Sequence, residues 1–81
     1  MDCYPRLRDV REDSDKRQQD IADYLGIHRT MYRRYETGET DIPARHLITL
    51  ADFYKTSVDY ILGRTNETRP YPKKRDIPYL K

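Results

Sequence analysis

The chain has 81 residues, 36% apolar and 37% charged, enough for one small domain around a single modest core and too little for a second catalytic domain. Its formal charge of +2 divides unevenly, with ten Lys/Arg against twelve Asp/Glu in residues 1–63 and six against two in residues 64–81, so attraction to a polyanion requires a local basic face. No apolar run approaches the ~20 residues of a membrane helix, no secretion signal is visible, and Cys3 with His28 and His46 supplies neither a disulfide nor a zinc set; a soluble cytoplasmic protein without metal or cofactor is expected.

In chain order, a first helix is predicted from Tyr4 or Pro5 to Asp13, because Pro5 suits a first turn and Leu7 with Val10 stands at i, i+3. Ser14 and Asp15 break it, and either can cap a second helix over about residues 17–25, whose apolar face is Ile21, Ala22 and Leu25. Gly26 stops that helix, since glycine alone enters the left-handed region without steric cost. A third helix follows His28 and reaches about Thr37, with Tyr32 and Tyr35 inward and Arg29, Thr30, Arg33 and Arg34 elsewhere, before Gly38 ends it. Pro43 is predicted at the first position of a fourth helix carrying Leu47, Leu50, Ala51 and Tyr54 at i, i+3, i+4, i+7. Ser57 caps a short fifth helix with Val58, Ile61 and Leu62 inward and Gly63 as its stop. Most of the eight tyrosines, Tyr24 and Tyr60 among them, fall at core spacing. Beyond Gly63 the prolines 70, 72 and 78 forbid a regular helix, and an extended basic tail with Tyr71, Ile77, Tyr79 and Leu80 is expected.

Two short helical patterns meeting at Gly26, the second rich in arginine, are the grammar of a helix-turn-helix. Gln18, Ile21, Ala22, Gly26 and Ile27, followed by Tyr35-Glu36 and Gly38, then Pro43 and the run from Val58 to Gly63, resemble the Cro/C1-type (XRE-like) helix-turn-helix family, to which lambda repressor and Cro belong. The resemblance covers roughly residues 4–63 and implies an all-α, compact five-helix lambda-repressor-like domain, with 64–81 as an extended basic tail.

It also implies roles for particular residues. Arg29, Thr30 and Arg34 match the positions that face base edges; arginine has the planar fork that grips guanine O6 and N7, and threonine can offer its hydroxyl to a base or its methyl to thymine. Arg33 lies on the flank, facing phosphate. Gln18 matches the glutamine that meets a phosphate where a helix N-terminus favours an anion. Arg17, Arg45 and His28 complete the expected phosphate contacts. Arg11 and Glu36 match an arginine–glutamate pair that fixes helix orientation rather than touching DNA. Tyr32 departs from the small aliphatic of the family, and its ring is expected inside with its hydroxyl brought to water or phosphate. Glu39 and Asp41 would repel a phosphate backbone, which argues against contacts from their loop.

The function implied is a sequence-specific double-stranded-DNA-binding transcriptional regulator, a repressor acting as a homodimer on a palindromic operator, of bacterial or phage origin. The alternative is an antitoxin-like or adaptor module that binds DNA and also a protein partner through residues 64–81. No nucleophile–base or metal-ligand grouping supports an enzyme.

Overall fold

The computed structural model describes residues 4–71. Their element order is α1 (Pro5–Asp13), α2 (Gln18–Leu25), α3 (Arg29–Thr37), α4 (Ala44–Tyr54) and α5 (Val58–Ile61), and no strand occurs among them. Each boundary has a local chemical cause. Pro5 occupies the first turn of α1, where the N–H it lacks would have no intrahelical partner. Gly26 and Gly38 end α2 and α3 at φ of 73° and 84°. Ser57 caps α5 by accepting a hydrogen bond from the Tyr60 backbone N–H at 2.9 Å.

Two boundaries differ from the sequence expectation. Pro43 lies one residue before α4, in extended conformation at φ −62° and ψ 148°. Neither Ser14 nor Asp15 caps α2: Asp15 adopts a left-handed φ of 57° and carries the chain past the turn. The capping position falls on Arg17, whose backbone N–H donates to Asp20 Oδ2 at 2.9 Å. A carboxylate three residues into the helix thus supplies the returning half of a capping box, while the Arg17 guanidinium offers no acceptor to the first N–H groups of α2.

The core is built where the apolar faces converge. Leu7 of α1, Ile21 and Ala22 of α2, Tyr32 and Tyr35 of α3, Leu47, Leu50 and Ala51 of α4 and Ile61 of α5 form one buried cluster, joined by Ile42. α2 packs on α3, α4 on α5, and α1 bridges to both α3 and α5. Ala22 is fully buried, so its methyl sets how closely α2 and α3 approach. Helical spacing alone misplaces two side chains. Tyr24 is 52% exposed and lies as a flap on Phe53, ring centroids 4.5 Å apart. Leu62 falls just past the end of α5 and faces solvent.

Beyond Gly63 the chain to Tyr71 contains no helix and turns back along the body. Arg6 of α1 stacks over the Tyr60 ring at 4.3 Å and donates to the carbonyls of Tyr60 and Thr65 and to Asn66 Oδ1. The Tyr71 hydroxyl donates to Asp59 Oδ2 at 2.8 Å. The expectations that fell on Cys3, Pro72, Ile77, Pro78, Tyr79 and Leu80 lie outside the described residues.

The core assignment separates two residues two positions apart on α4. Leu50→Ala, at a fully buried site, is expected to cost about 2–5 kcal/mol of unfolding free energy. Ile48→Ala, at a site 57% exposed, should stay within about 0.5 kcal/mol of the parent. Urea titrations of both variants check the contrast.

Candidate nucleic-acid interface

The face in question is made by α2, the turn at Gly26, and α3. After Gly26 the Ile27 backbone N–H returns to the Ala22 carbonyl at 3.0 Å, closing the end of α2 and redirecting the chain. His28 holds the capping position of α3 in extended conformation, yet its side chain makes no capping bond and is exposed. The first N–H groups of α3 therefore have no side-chain acceptor, which leaves that end attractive to an anion.

With 3.6 residues per turn, burial of Tyr32, Tyr35 and Glu36 on one side of α3 turns positions 30, 33 and 34 away from the core, whereas Arg29, three residues before Tyr32 and seven before Glu36, lies at the edge of the buried side and is exposed at the first residue of the helix. Arg29, Thr30, Arg33 and Arg34 are all exposed. Among the described residues Arg29 and Arg34 make no side-chain hydrogen bond or ion pair, so both guanidinium forks keep their donors for an outside acceptor. Arg33 is different. Its Nη1 lies 4.0 Å from Glu39 Oε1, a loose, solvent-exposed pair.

Behind this face lies a charged cluster. Arg11 Nε and Nη2 donate to the two Glu36 oxygens at 2.6 and 3.2 Å, and Nη1 donates to the Lys16 carbonyl at 2.9 Å. The Gln18 side-chain amide donates to Glu36 Oε1 at 3.1 Å. The Glu36 side chain is only 4% exposed, so a carboxylate there is tolerable only because these donors replace its water. Burial pushes its pKa up, but the Arg11 guanidinium, the Tyr32 hydroxyl and the Gln18 amide outweigh that and hold it below its ordinary 4.5. The bond to Glu36 correspondingly raises Arg11, against a smaller opposing effect of burial.

Tyr32 corrects the sequence reading. Its ring is inside as expected, but its hydroxyl is sealed in as well, beside Glu36 and without a hydrogen bond of good geometry, rather than reaching water or phosphate. Burial, then the neighbouring carboxylate, push its pKa far up, so it stays a neutral phenol. Deep placement of α3 against the core leaves the hydroxyl no exit.

The remaining phosphate candidates are placed less uniformly. Arg17 is exposed, but Nη2 turns back to Asp20 Oδ1 at 2.8 Å, and that pairing draws the Asp20 pKa down to about 2. Arg45 is exposed in the first turn of α4. The adjacent His46 lies beside buried Tyr35 of α3 at 6.1 Å between ring centroids, which brings that turn of α4 close to α3. Burial first, then the charge of Arg45, lower the His46 pKa. In the acidic loop, Asp41 Oδ1 accepts from the Tyr4 hydroxyl at 3.2 Å and is thereby tied to the start of α1.

Sequence reasoning missed two of these contacts for different reasons. The Arg17–Asp20 pair carried a visible signal in its i, i+3 spacing. The Gln18–Glu36 bond, between residues eighteen apart, had none without the fold. Among the described residues no three His, Cys, Asp or Glu side chains gather as a metal site, and no helix is long and apolar enough to cross a membrane. Two clefts of about 380 and 340 Å³ are bounded by α4, α5 and the returning chain, the first also by α1, and neither of these two includes a residue of α3.

A helix-turn-helix family model matches residues 7–61, the stretch from Leu7 of α1 to the end of α5. The chain belongs to the Cro/C1-type (XRE-like) helix-turn-helix family. Among curated helix-turn-helix relatives, it is 33% identical over 72 residues to the uncharacterized HTH-type transcriptional regulator YobD of Bacillus subtilis, covering 89% of this chain and 64% of that one. It is 37% identical over 64 residues to the cryptic phage CTXphi transcriptional repressor RstR of Vibrio cholerae, covering 79% and 57%. It is 34% identical over 68 residues to the HTH-type transcriptional regulator AnsR of Bacillus subtilis, covering 84% and 59%. The chain thus spans about three fifths of the length of these helix-turn-helix relatives. No solved structure matches it significantly.

The cluster behind α3 yields two expected outcomes. Arg11→Ala strands the Glu36 carboxylate and should cost about 3–5 kcal/mol at neutral pH in a urea titration. Because the folded-state pKa of Glu36 is depressed, its contribution to stability is complete above 4.5 and disappears as pH falls through the lower, folded value. In Arg11→Ala, burial becomes the main influence on Glu36 and raises its pKa. Acidification from pH 6 to 3 should therefore cost the variant less stability than the parent, as thermal melts across that range would show.

Proposed function

We propose that the protein is a sequence-specific double-stranded-DNA-binding transcriptional regulator, a repressor that acts as a homodimer on a palindromic operator. Residues 4–63 form the DNA-binding domain, and residues 64–81 are a basic tail. The observation that carries this reading is the outer face of α3, where Arg29 and Arg34 stand exposed without partners among the described residues while the opposite face is locked into the core. The printed name of the Vibrio cholerae relative, a phage transcriptional repressor, supports the regulatory part.

In this reading α3 enters the major groove. Arg29 and Arg34 grip guanine edges, Thr30 meets a third base, and Arg33 on the flank neutralises phosphate. Gln18, Arg17, Arg45 and His28 surround that helix with further phosphate contacts. Arg33 and Arg17 have to exchange Glu39 and Asp20 for the DNA backbone, a small cost because both pairs are exposed. One recognition helix reads only a few base pairs, so useful specificity calls for two copies with half-sites about 34 Å apart or a multiple of that. The protein works in the cytoplasm of a bacterium, where repression consists of occupying the operator, and no catalytic step is involved.

Selection of bound sites from random duplexes tests the reading. Arg29→Ala and Arg34→Ala should each relax one position of the selected site, by about 1–3 kcal/mol of discrimination. Arg33→Ala should weaken all sequences alike and lower the salt slope by about 1. Glu39→Gln, which removes the competitor for Arg33, should strengthen binding to every duplex. Failure of the parent protein to enrich any sequence would refute the proposal.

A further inference from the structure

Gln18 and Glu36 are joined in a way that assigns the buried carboxylate a second task. We infer that Glu36 is the positioning residue for a DNA phosphate contact: gripped by Arg11, it orients the Gln18 amide so that its remaining N–H is presented to the backbone. The inference rests on the DNA-binding reading above and adds to it how one contact is set.

A glutamine side chain has three rotatable bonds and an end group with two faces, a carbonyl acceptor and an NH2 carrying two donors. Phosphate oxygens only accept. A freely turning Gln18 would present its carbonyl to the phosphate as readily as its nitrogen, and the wrong face is repelled. Glu36 removes that ambiguity. Its carboxylate is held ionised, so it too can only accept, and the nitrogen of Gln18 must be the atom at 3.1 Å. One N–H is thereby spent inside the protein. The other, fixed by the planarity of the amide, diverges from the buried carboxylate.

The carboxylate is itself immobile. Arg11 holds both oxygens, and its third bond, to the Lys16 carbonyl, ties the guanidinium to the loop that leads into α2. The chain Arg11–Glu36–Gln18 therefore connects α1, the end of α3 and the first residue of α2. A contact made by Gln18 is registered to the recognition helix through a rigid link rather than through solvent. Arg17, the neighbouring residue, has no such link to α3, because its guanidinium is turned to Asp20 of its own helix.

A chemical cycle distinguishes positioning from mere structural support. On a duplex selected by the parent protein, single phosphates are replaced in turn by neutral methylphosphonate. One replacement should weaken the parent about tenfold and have no further effect on Gln18→Ala. Glu36→Gln, verified as folded by circular dichroism at the assay temperature, should reduce the penalty at that same phosphate to below about threefold. Penalties at phosphates whose effect does not depend on Gln18 should stay as in the parent. Should Glu36→Gln fail to fold, Arg11→Lys is measured instead; it keeps a positive charge but loses the two-pronged grip, and is expected to shrink the same penalty partway. An undiminished penalty in the folded variant overturns the inference, as does the absence of any phosphate whose effect depends on Gln18. Failure of the parent to select a duplex at all refutes the functional reading instead.

Discussion

A carboxylate buried at the end of α3 is the constraint from which the helix-turn-helix takes its shape. Glu36 cannot stay charged inside the protein unless donors replace its water, and those donors come from α1 and α2. Satisfying one group thus fixes three helices relative to one another. An apolar contact would tolerate sliding by a fraction of a side chain; a forked guanidinium on both oxygens of a carboxylate tolerates much less. The pair is a costly way to gain stability but an efficient way to set orientation, and orientation is what the proposed entry of α3 into a groove would require.

The outer face of α3 follows from the inner one. Once Tyr32, Tyr35 and Glu36 are committed to the interior, the helical repeat turns Thr30, Arg33 and Arg34 outward, and Arg29 joins them because it is exposed at the first residue of the helix. The local basic face therefore needs no excess of positive charge over the domain, which in residues 1–63 carries more acids than bases. Acidic side chains stand beside the flanking arginines instead, Glu39 near Arg33 and Asp20 on Arg17. They reserve the flanks while leaving Arg29 and Arg34 open. In the proposed role, such an arrangement would weaken indiscriminate attraction to phosphate more than grip on a base edge.

Much of this architecture is legible in the sequence because its punctuation is local. Gly26 and Gly38 end their helices in the left-handed region and Ser57 caps α5, as the residue types require. The boundary errors have the same origin, since several polar residues before α2 can each serve as a cap and only the backbone decides in favour of Arg17. Side-chain depth is less legible. Tyr24 and Leu62 carry apolar surface at positions near the rim of the core, where a periodic pattern cannot distinguish a buried residue from a covering flap. The proposed interface residues follow from family resemblance joined to the helical repeat. Their partners inside the protein could not be, because a bond such as Gln18 to Glu36 exists only after two helices have packed.

Ala22 has a consequence of its own. Its methyl group lies in the core cluster that α2 shares with α3, with no accessible surface left over. A bulkier side chain there would act as a wedge, tilting the reading rod while leaving every letter on its outer face intact. If α3 reads DNA as proposed, the domain would hold two separate controls over what it reads: the chemistry displayed on α3, and the volume of one residue that never meets the target.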